Sequence, residues 1–161
     1  MTANKEAIAP ALGKLVAGLY IISLKSKDAE TGFLASWVQQ AGFEPPMVTI
    51  AFNKERKHHF NVLNASGKLV INIMAKENGK TMSRFFKPAP ENGSIFDELE
   101  TFTGSTGIPI LKDSLGYLEC KYYSEMESGD HIIVLAEVIN GGINNAELQP
   151  STHIRADGFK Y

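Results

Sequence analysis

The chain carries one cysteine, Cys120, among its 161 residues. No internal disulfide can form, and such thiol usage suits a reducing compartment, so a cytoplasmic location is expected. No apolar run approaches the roughly 20 residues that a membrane-spanning helix needs, and no membrane partner is expected. The first 24 residues lack a basic start followed by a cleavable apolar stretch, so no signal peptide is expected. Charge of one sign is also lacking: 16 basic against 18 acidic residues leave a net charge of -2, with nothing global to attract nucleic acid. No G-x-G-x-x-G follows a strand-like segment, which argues against a doubly wound nicotinamide-binding domain. The four histidines lack H-E-x-x-H spacing, so no metal site is supported. Internal repeats, low-complexity tracts and linkers are absent, and a single domain over residues 1–161 is expected.

What is present reads as a small β protein. Apolar residues make up 43% and charged residues 21%, as in a globular domain with a real core. Residues 5–15 can form a short helix, weakened by Pro10 and Gly13. Strands are expected over residues 18–24, 47–52, 68–74, 116–126 and 131–141, where β-branched, aromatic and apolar residues concentrate. Residues 26–32 read as a hairpin turn and 127–130 as a second one. Helices are expected over residues 54–65 and 78–86, the latter stopped by Pro88. Residues 88–116, rich in Gly, Pro, Thr and Ser, read as a long loop with a helical turn at 95–99; loops of that length are often functional. Five strands with short turns and few helices point to a mainly antiparallel barrel.

The densest chemical signal lies in residues 32–59, which run GFLASWVQQAGFEPP, MVTIAF and NKERKHH. Lys54, Arg56, Lys57, His58 and His59 crowd a predicted helix start against a single Glu55. Cations there oppose the helix dipole, and exposed helix-start amides favour anions, so a phosphate-bearing ligand is the working reading. The alternative is a solvated charged face, the usual fate of such runs. Phe85 and Phe86 read as core more readily than as ligand contacts, and Arg84 as either a phosphate partner or a solvated cation. Cys120 reads as a buried, inert thiol, since no second cysteine or basic turn activates it. The stretch from Gly104 to Gly107 is too short for a phosphate loop.

Several motifs together carry a resemblance. They are Gly32 with Ala35-Ser36-Trp37 and Glu44-Pro45-Pro46; Val70-Ile71-Asn72-Ile73; Gly107-Ile108-Pro109-Ile110-Leu111; Leu118-Glu119-Cys120; and Gly129-Asp130-His131 before an apolar strand. In this order the chain resembles the flavin reductase-like, FMN-binding split-barrel family over nearly its whole length. LASWVQQAGFEPP, RFFKP and PILKDSLGYLEC are similar, more narrowly, to the C-terminal flavin reductase domain of flavodiiron proteins, here as a stand-alone chain. The resemblance implies an antiparallel, Greek-key-like split β-barrel with a few short helices. It also implies non-covalent FMN, NAD(P)H as co-substrate, a homodimer, and a possible redox protein partner.

Site residues follow from the same resemblance. Leu34, Ala35, Ser36 and Trp37 would lie along the flavin, with small residues letting backbone amides approach it. Trp37 departs from the hydroxyl residue many relatives carry; it would stack or contribute only its backbone. Gln39 and Gln40 stand where Thr or Ser is common. Asn53, Lys54, Arg56 and His58 match the phosphate site after the third strand, while Lys57 and His59 are expected to face elsewhere. Phe85 would pack beside flavin or nicotinamide, and His131 would seat the nicotinamide. His153, Arg155 and Tyr161 resemble C-terminal polar contacts that can reach across a dimer; the alternative is an ordinary flexible tail. The expected activity is hydride transfer from NAD(P)H to flavin and onward electron delivery. The alternative is a non-enzymatic, flavoredoxin-like FMN electron carrier reduced by a protein partner, and a third reading is a split-barrel module for haem or another flavin.

Overall fold

A computed structural model describes residues 4–87, 90 and 92–160. Its elements in chain order are α1 (Lys5–Gly13), β1 (Ala17–Gly18), β2 (Tyr20–Lys25), β3 (Glu30–Ala35), β4 (Val38–Phe43) and β5 (Pro46–Asn53). A 3-10 turn (Lys54–Arg56) leads into α2 (Lys57–Ser66), then β6 (Lys68–Ile73), a second such turn (Lys76–Asn78) and α3 (Gly79–Phe86). The remainder is β7 (Thr101–Thr103), β8 (Pro109–Leu111), β9 (Gly116–Ser128), β10 (His131–Ile143) and β11 (Thr152–His153).

Seven strands form one antiparallel sheet in the order β3-β2-β6-β9-β10-β5-β4. Its two edges, β3 and β4, are consecutive in the chain and joined by only Ser36 and Trp37. The sheet must therefore curl back on itself, and side chains from both ends meet in one interior. Phe33 and Ala35 of β3, Val48, Ile50 and Phe52 of β5, and Val134 and Ala136 of β10 share a single buried cluster. That is a split β-barrel, mainly β with few helices, as the resemblance implied. Alternation is clean where one face looks inward, as in β5, whose Val48, Ile50 and Phe52 are buried between more exposed neighbours.

The five expected strands sit near their expected places, but the described residues hold eleven strand segments. The stretch before the double proline, outside the five expected strands, contains β3 and β4. It is polar on the outside because β4 is an exposed edge, with Gln39, Gln40 and Ala41 all exposed. The long loop also differs: residues 95–98 form turns rather than a helix, and β7 and β8 pair with each other as a small ribbon. Pro88, read as the stop of α3, lies outside the described residues; the last hydrogen-bonded turn of that helix ends at Lys87.

Two buried polar side chains fasten this loop to the barrel. Asn72 of β6 donates to the Ile21 carbonyl (2.9 Å) and the Ser23 hydroxyl (2.8 Å), and accepts from the Leu111 amide (2.8 Å), tying β2, β6 and β8 together. Glu119 of β9 is fully buried and accepts from the Thr106 amide (2.7 Å), the Thr106 hydroxyl (2.8 Å), the Ser105 hydroxyl (3.1 Å) and the Asn140 amide (2.7 Å). Burial alone pushes its pKa up, but the hydrogen bonds from Thr106, Asn140 and Ser105 outweigh this and hold it below the usual glutamate value. Gly104 is glycine because a Cβ there would stand 2.5 Å from a Glu119 carboxylate oxygen. The neighbouring Cys120 is fully buried; burial, with the Glu119 charge adding, pushes its thiol up to about 12.

A carboxylate whose folded pKa is depressed stabilises the fold above its unfolded value and loses that contribution as pH falls through the folded value. Glu119→Ala is expected to lower stability by about 1.5–3 kcal/mol at pH 7, the usual worth of hydrogen bonds to a charged group. Glu119→Gln should flatten the fall of the urea midpoint below about pH 4.5, the ordinary value of this carboxyl. An unchanged midpoint in Glu119→Ala would show that the clasp contributes nothing.

Candidate functional site

Two cavities open on either side of the β3–β4 joint, and Ser36, Trp37, Ala51 and Asn53 line both. The first is a narrow, mainly apolar slot of about 190 Å³. Its walls are Phe33, Leu34 and Ala35 from β3, Ala51, Phe52 and Asn53 from β5, and Phe85 and Phe86 from α3. Arg56, His59 and His153 also line it, together with Leu19.

Local sequence explains each wall. Phe85 is 2% exposed and meets Phe96 at 5.5 Å between ring centroids, so it belongs to the core as well as to the slot, whereas Phe86 is 66% exposed. Gly32 lets α3 come this close: a Cβ there would lie 2.9 Å from the Phe85 ring and 3.0 Å from the Ile22 carbonyl oxygen. Arg56 and His59 stand three residues apart, the spacing that puts two side chains on one helical face. The His59 ring lies 4.8 Å from Phe33, and its Nδ1 is 3.2 Å from the hydroxyl of the buried Thr31. Burial lowers the His59 pKa to about 4, with the His58 and Arg56 charges adding.

The second cavity is larger, about 670 Å³. Gln39, Thr49, Asp130 and His131 form its sheet side. The end of α1 (Leu12) with Leu15 and Val16, and the C-terminal segment with Arg155, Phe159 and Lys160, form the opposite side. That segment is pinned to α1: the Gly158 amide donates to the Ala9 carbonyl (2.8 Å) and the Arg155 amide to the Gly13 carbonyl (3.0 Å). The Arg155 guanidinium lies over the Trp37 ring at 5.2 Å and donates to the Gly158 carbonyl at 3.2 Å. His131 is 5% exposed, stands 4.8 Å from the Trp37 ring, and its Nδ1 is 2.7 Å from an Asp130 carboxylate oxygen. The hydrogen bond with His131 and that residue's charge hold Asp130 below the usual aspartate value.

The candidates thus divide. Leu34, Ala35, Ser36, Trp37, Asn53, Arg56 and Phe85 line the first cavity, and Gln39 and His131 the second. Gln40 lines neither; its amide turns back to the Gly42 carbonyl at 3.4 Å. Lys54 lines neither, because its ammonium is bound by the Glu127 carboxylate and by the Gly129 carbonyl (2.8 Å). His58 is exposed and outside both cavities. His59, expected to face elsewhere, instead lines the slot. Two helix-start amides are also already satisfied: the Glu55 amide by the Asn53 side chain (2.8 Å) and the Lys54 amide by the Asp130 carbonyl (3.0 Å). Arg84 donates to the Ile95 carbonyl (2.5 Å) and so braces the 95–98 turn. Among the C-terminal candidates, His153 lines the first cavity and Arg155 the second, while Tyr161 lies outside the described residues. No cluster of three metal-ligating side chains exists among the described residues, and no described helix is long and apolar enough to cross a membrane.

The arrangement is one of binding and orientation: an aromatic slot with one cationic end, joined through a tryptophan to a second chamber that holds a carboxylate-oriented imidazole. Comparisons with known proteins agree with it. The model of the flavin reductase like domain matches residues 12–159. Diflavin flavoprotein A 1 of Synechocystis sp. is 39% identical over 152 residues, which are 94% of this chain but 26% of the relative; the chain spans about a quarter of the length of the curated relatives it matches. Among solved structures, flavin reductase HpaC complexed with NADP+ is 27% identical with a TM-score of 0.79, covering 92% of each chain. A homolog of nitrilotriacetate monooxygenase component B from Mycobacterium thermoresistibile shares the fold, with a TM-score of 0.83 at 22% identity over 95% of this chain and 84% of that one. With its barrel, its seam and these matches in register, the chain belongs to the flavin reductase like domain family.

Proposed function

We propose that the chain binds FMN non-covalently in the first cavity, takes hydride from NAD(P)H seated in the second, and passes electrons to an acceptor. The observation that carries this reading is that two adjacent chambers share Ser36, Trp37, Ala51 and Asn53 as lining, with Arg56 on the first and His131 on the second. A bound flavin supplies the hydride-accepting and electron-donating chemistry; the chain positions the reactants and tunes their electrostatics. Phe33, Phe52 and Phe85 offer a dry aromatic wall for a flat ring system. Ala35 and Ser36, small residues at the joint, let polar ring edges approach the backbone, and the Ser36 hydroxyl can donate or accept. Arg56 suits a phosphate, which a guanidinium grips with two parallel N–H bonds. Asp130 holds the His131 ring at the wall of the second chamber. The C-terminal segment and α1 form part of that chamber's wall. No side-chain acid or base is needed for hydride transfer itself.

A homodimer and a cytoplasmic setting belong to the same proposal. Leu15 and Val16, each 65% exposed, and Ile154 at 57% support the pairing, and the single buried cysteine supports a reducing compartment. The second reading is an FMN electron carrier reduced by a protein partner. It is favoured by one observation: the likeness to diflavin flavoproteins covers only a piece of those longer chains.

Anaerobic mixing separates the two readings. Bleaching of the flavin band near ~450 nm by NADH or NADPH supports the reductase; no bleaching, with rapid reduction by a ferredoxin-like protein, replaces it with the carrier. Arg56→Ala is expected to weaken FMN at least about tenfold, the worth of a charge-assisted hydrogen bond, while riboflavin affinity holds. Equal losses for the two flavins would remove Arg56 from the phosphate end. His131→Ala should slow reduction by nicotinamide about tenfold or more and change flavin affinity less; the reverse pattern would make it a flavin contact.

A further inference from the structure

The cationic end of the first cavity is not the one the sequence suggests. Of the five basic or imidazole side chains in residues 54–59, Lys54 is engaged by Glu127 and the Gly129 carbonyl, His58 is exposed and outside the slot, and Lys57 is likewise outside. Arg56 and His59 remain, one helical turn apart and both on the slot. A single guanidinium against a phosphate dianion leaves one negative charge uncompensated, which a second positive charge beside it would offset.

We propose that His59 is that second group: it takes up one proton when a flavin phosphate monoester seats beside Arg56, so that phosphate binding and His59 protonation are coupled. This rests on the FMN reading above. The geometry suits both protonation states. The Thr31 hydroxyl opposite Nδ1 can donate to a bare ring nitrogen or accept from a protonated one, and Nε2 is left for the ligand. Without a ligand nothing holds the proton on. The charged groups acting on the ring from its own helix are His58 and Arg56, both of which repel it. From β3 the ring meets the Thr31 hydroxyl and the Phe33 ring; Glu30, next along that strand, is paired with Lys25 at 2.9 Å and accepts from the Ser94 hydroxyl at 2.6 Å. From α3 the slot receives Phe85 and Phe86, which are neutral, and from β11 His153. Burial and repulsion keep the ligand-free ring neutral at physiological pH; an arriving dianion reverses the sign of the local field and raises the affinity for a proton.

Linkage gives the sign. A group that gains a proton on binding makes binding tighter as pH falls, between its ligand-free and ligand-bound pKa values. FMN and riboflavin are to be titrated against the wild-type chain, His59→Gln and His58→Gln at pH 5.5 and 8.5, with calorimetry in two buffers of different ionisation enthalpy to count protons. The variant ratio cancels the titration of FMN's own phosphate, which is common to all three proteins. We expect His59→Gln to bind FMN at least about tenfold more weakly than wild type at pH 5.5 and within about twofold at pH 8.5. Riboflavin affinity should be unchanged at both values, which also reports that the variant is folded. Near pH 7, where the free flavin phosphate is mostly a dianion, wild type should take up more protons on binding than His59→Gln, and His58→Gln, which lacks one repelling charge, should bind FMN no more weakly than wild type. A pH-independent ratio, a parallel loss of riboflavin, or equal proton counts would overturn the coupling while leaving FMN binding intact. If the wild-type chain takes up neither flavin, the coupling and the reading beneath it fall together.

Discussion

Everything in this molecule depends on how its sheet ends. The two edge strands are neighbours in the chain, and two residues, Ser36 and Trp37, carry it from one edge to the other. A joint that short forces the sheet to curl, places the two edges side by side, and leaves a seam that backbone hydrogen bonding does not close. Both chambers lie along this seam because it is where the barrel wall is interrupted. The small Ser36 keeps backbone accessible there, and Trp37 supplies the partition between the two spaces.

The second layer of the design keeps the long segment after α3 in place. Asn72 and Glu119 do this from inside the barrel, each satisfying backbone groups that irregular chain would otherwise leave unpaired. Both belong to the motifs that identify the family in sequence. Their chemistry is internal: the loop Gly104 to Gly107, which superficially suggests an anion site, wraps an anion of the protein itself. The motif residues thus fall into two groups: those like Asn72 and Glu119, buried under the loop, and those like Ser36, Trp37 and His131, which line the cavities. The first hold the scaffold, and the second lie on the seam that the scaffold exposes.

This separation explains what could be read from sequence. The strands with strong apolar content, β2, β5, β6, β9 and β10, were legible because burial on one or both faces leaves a plain pattern. β4 was not, because an exposed edge strand need not alternate, and β7 and β8 were too short to show a period. At the site, the stretch from Leu34 to Trp37 and the positions Asn53 and Arg56 were legible through the family pattern. Lys54 and His58, expected at a phosphate site, lie outside the slot, and His59, expected to face elsewhere, lines it. Helical spacing contained the remedy: positions 56, 59, 60 and 63 share a face, Leu63 is fully buried and His59 half-buried, while Arg56 and His58 are exposed and only Arg56 of these two reaches the slot. The ion pair of Lys54 with Glu127 joins residues far apart in sequence and left no local trace.

The sealed state of Cys120 has a chemical consequence for a protein of this family. Reduced flavins that meet dioxygen yield peroxide, and peroxide attacks thiolates rather than thiols. A sulfhydryl walled into β9 beside a permanent negative charge, its proton held until about 12, presents no nucleophile to that oxidant. The chain's lone sulfhydryl is thereby removed from sulfenic acid formation and from cross-linking with its neighbours.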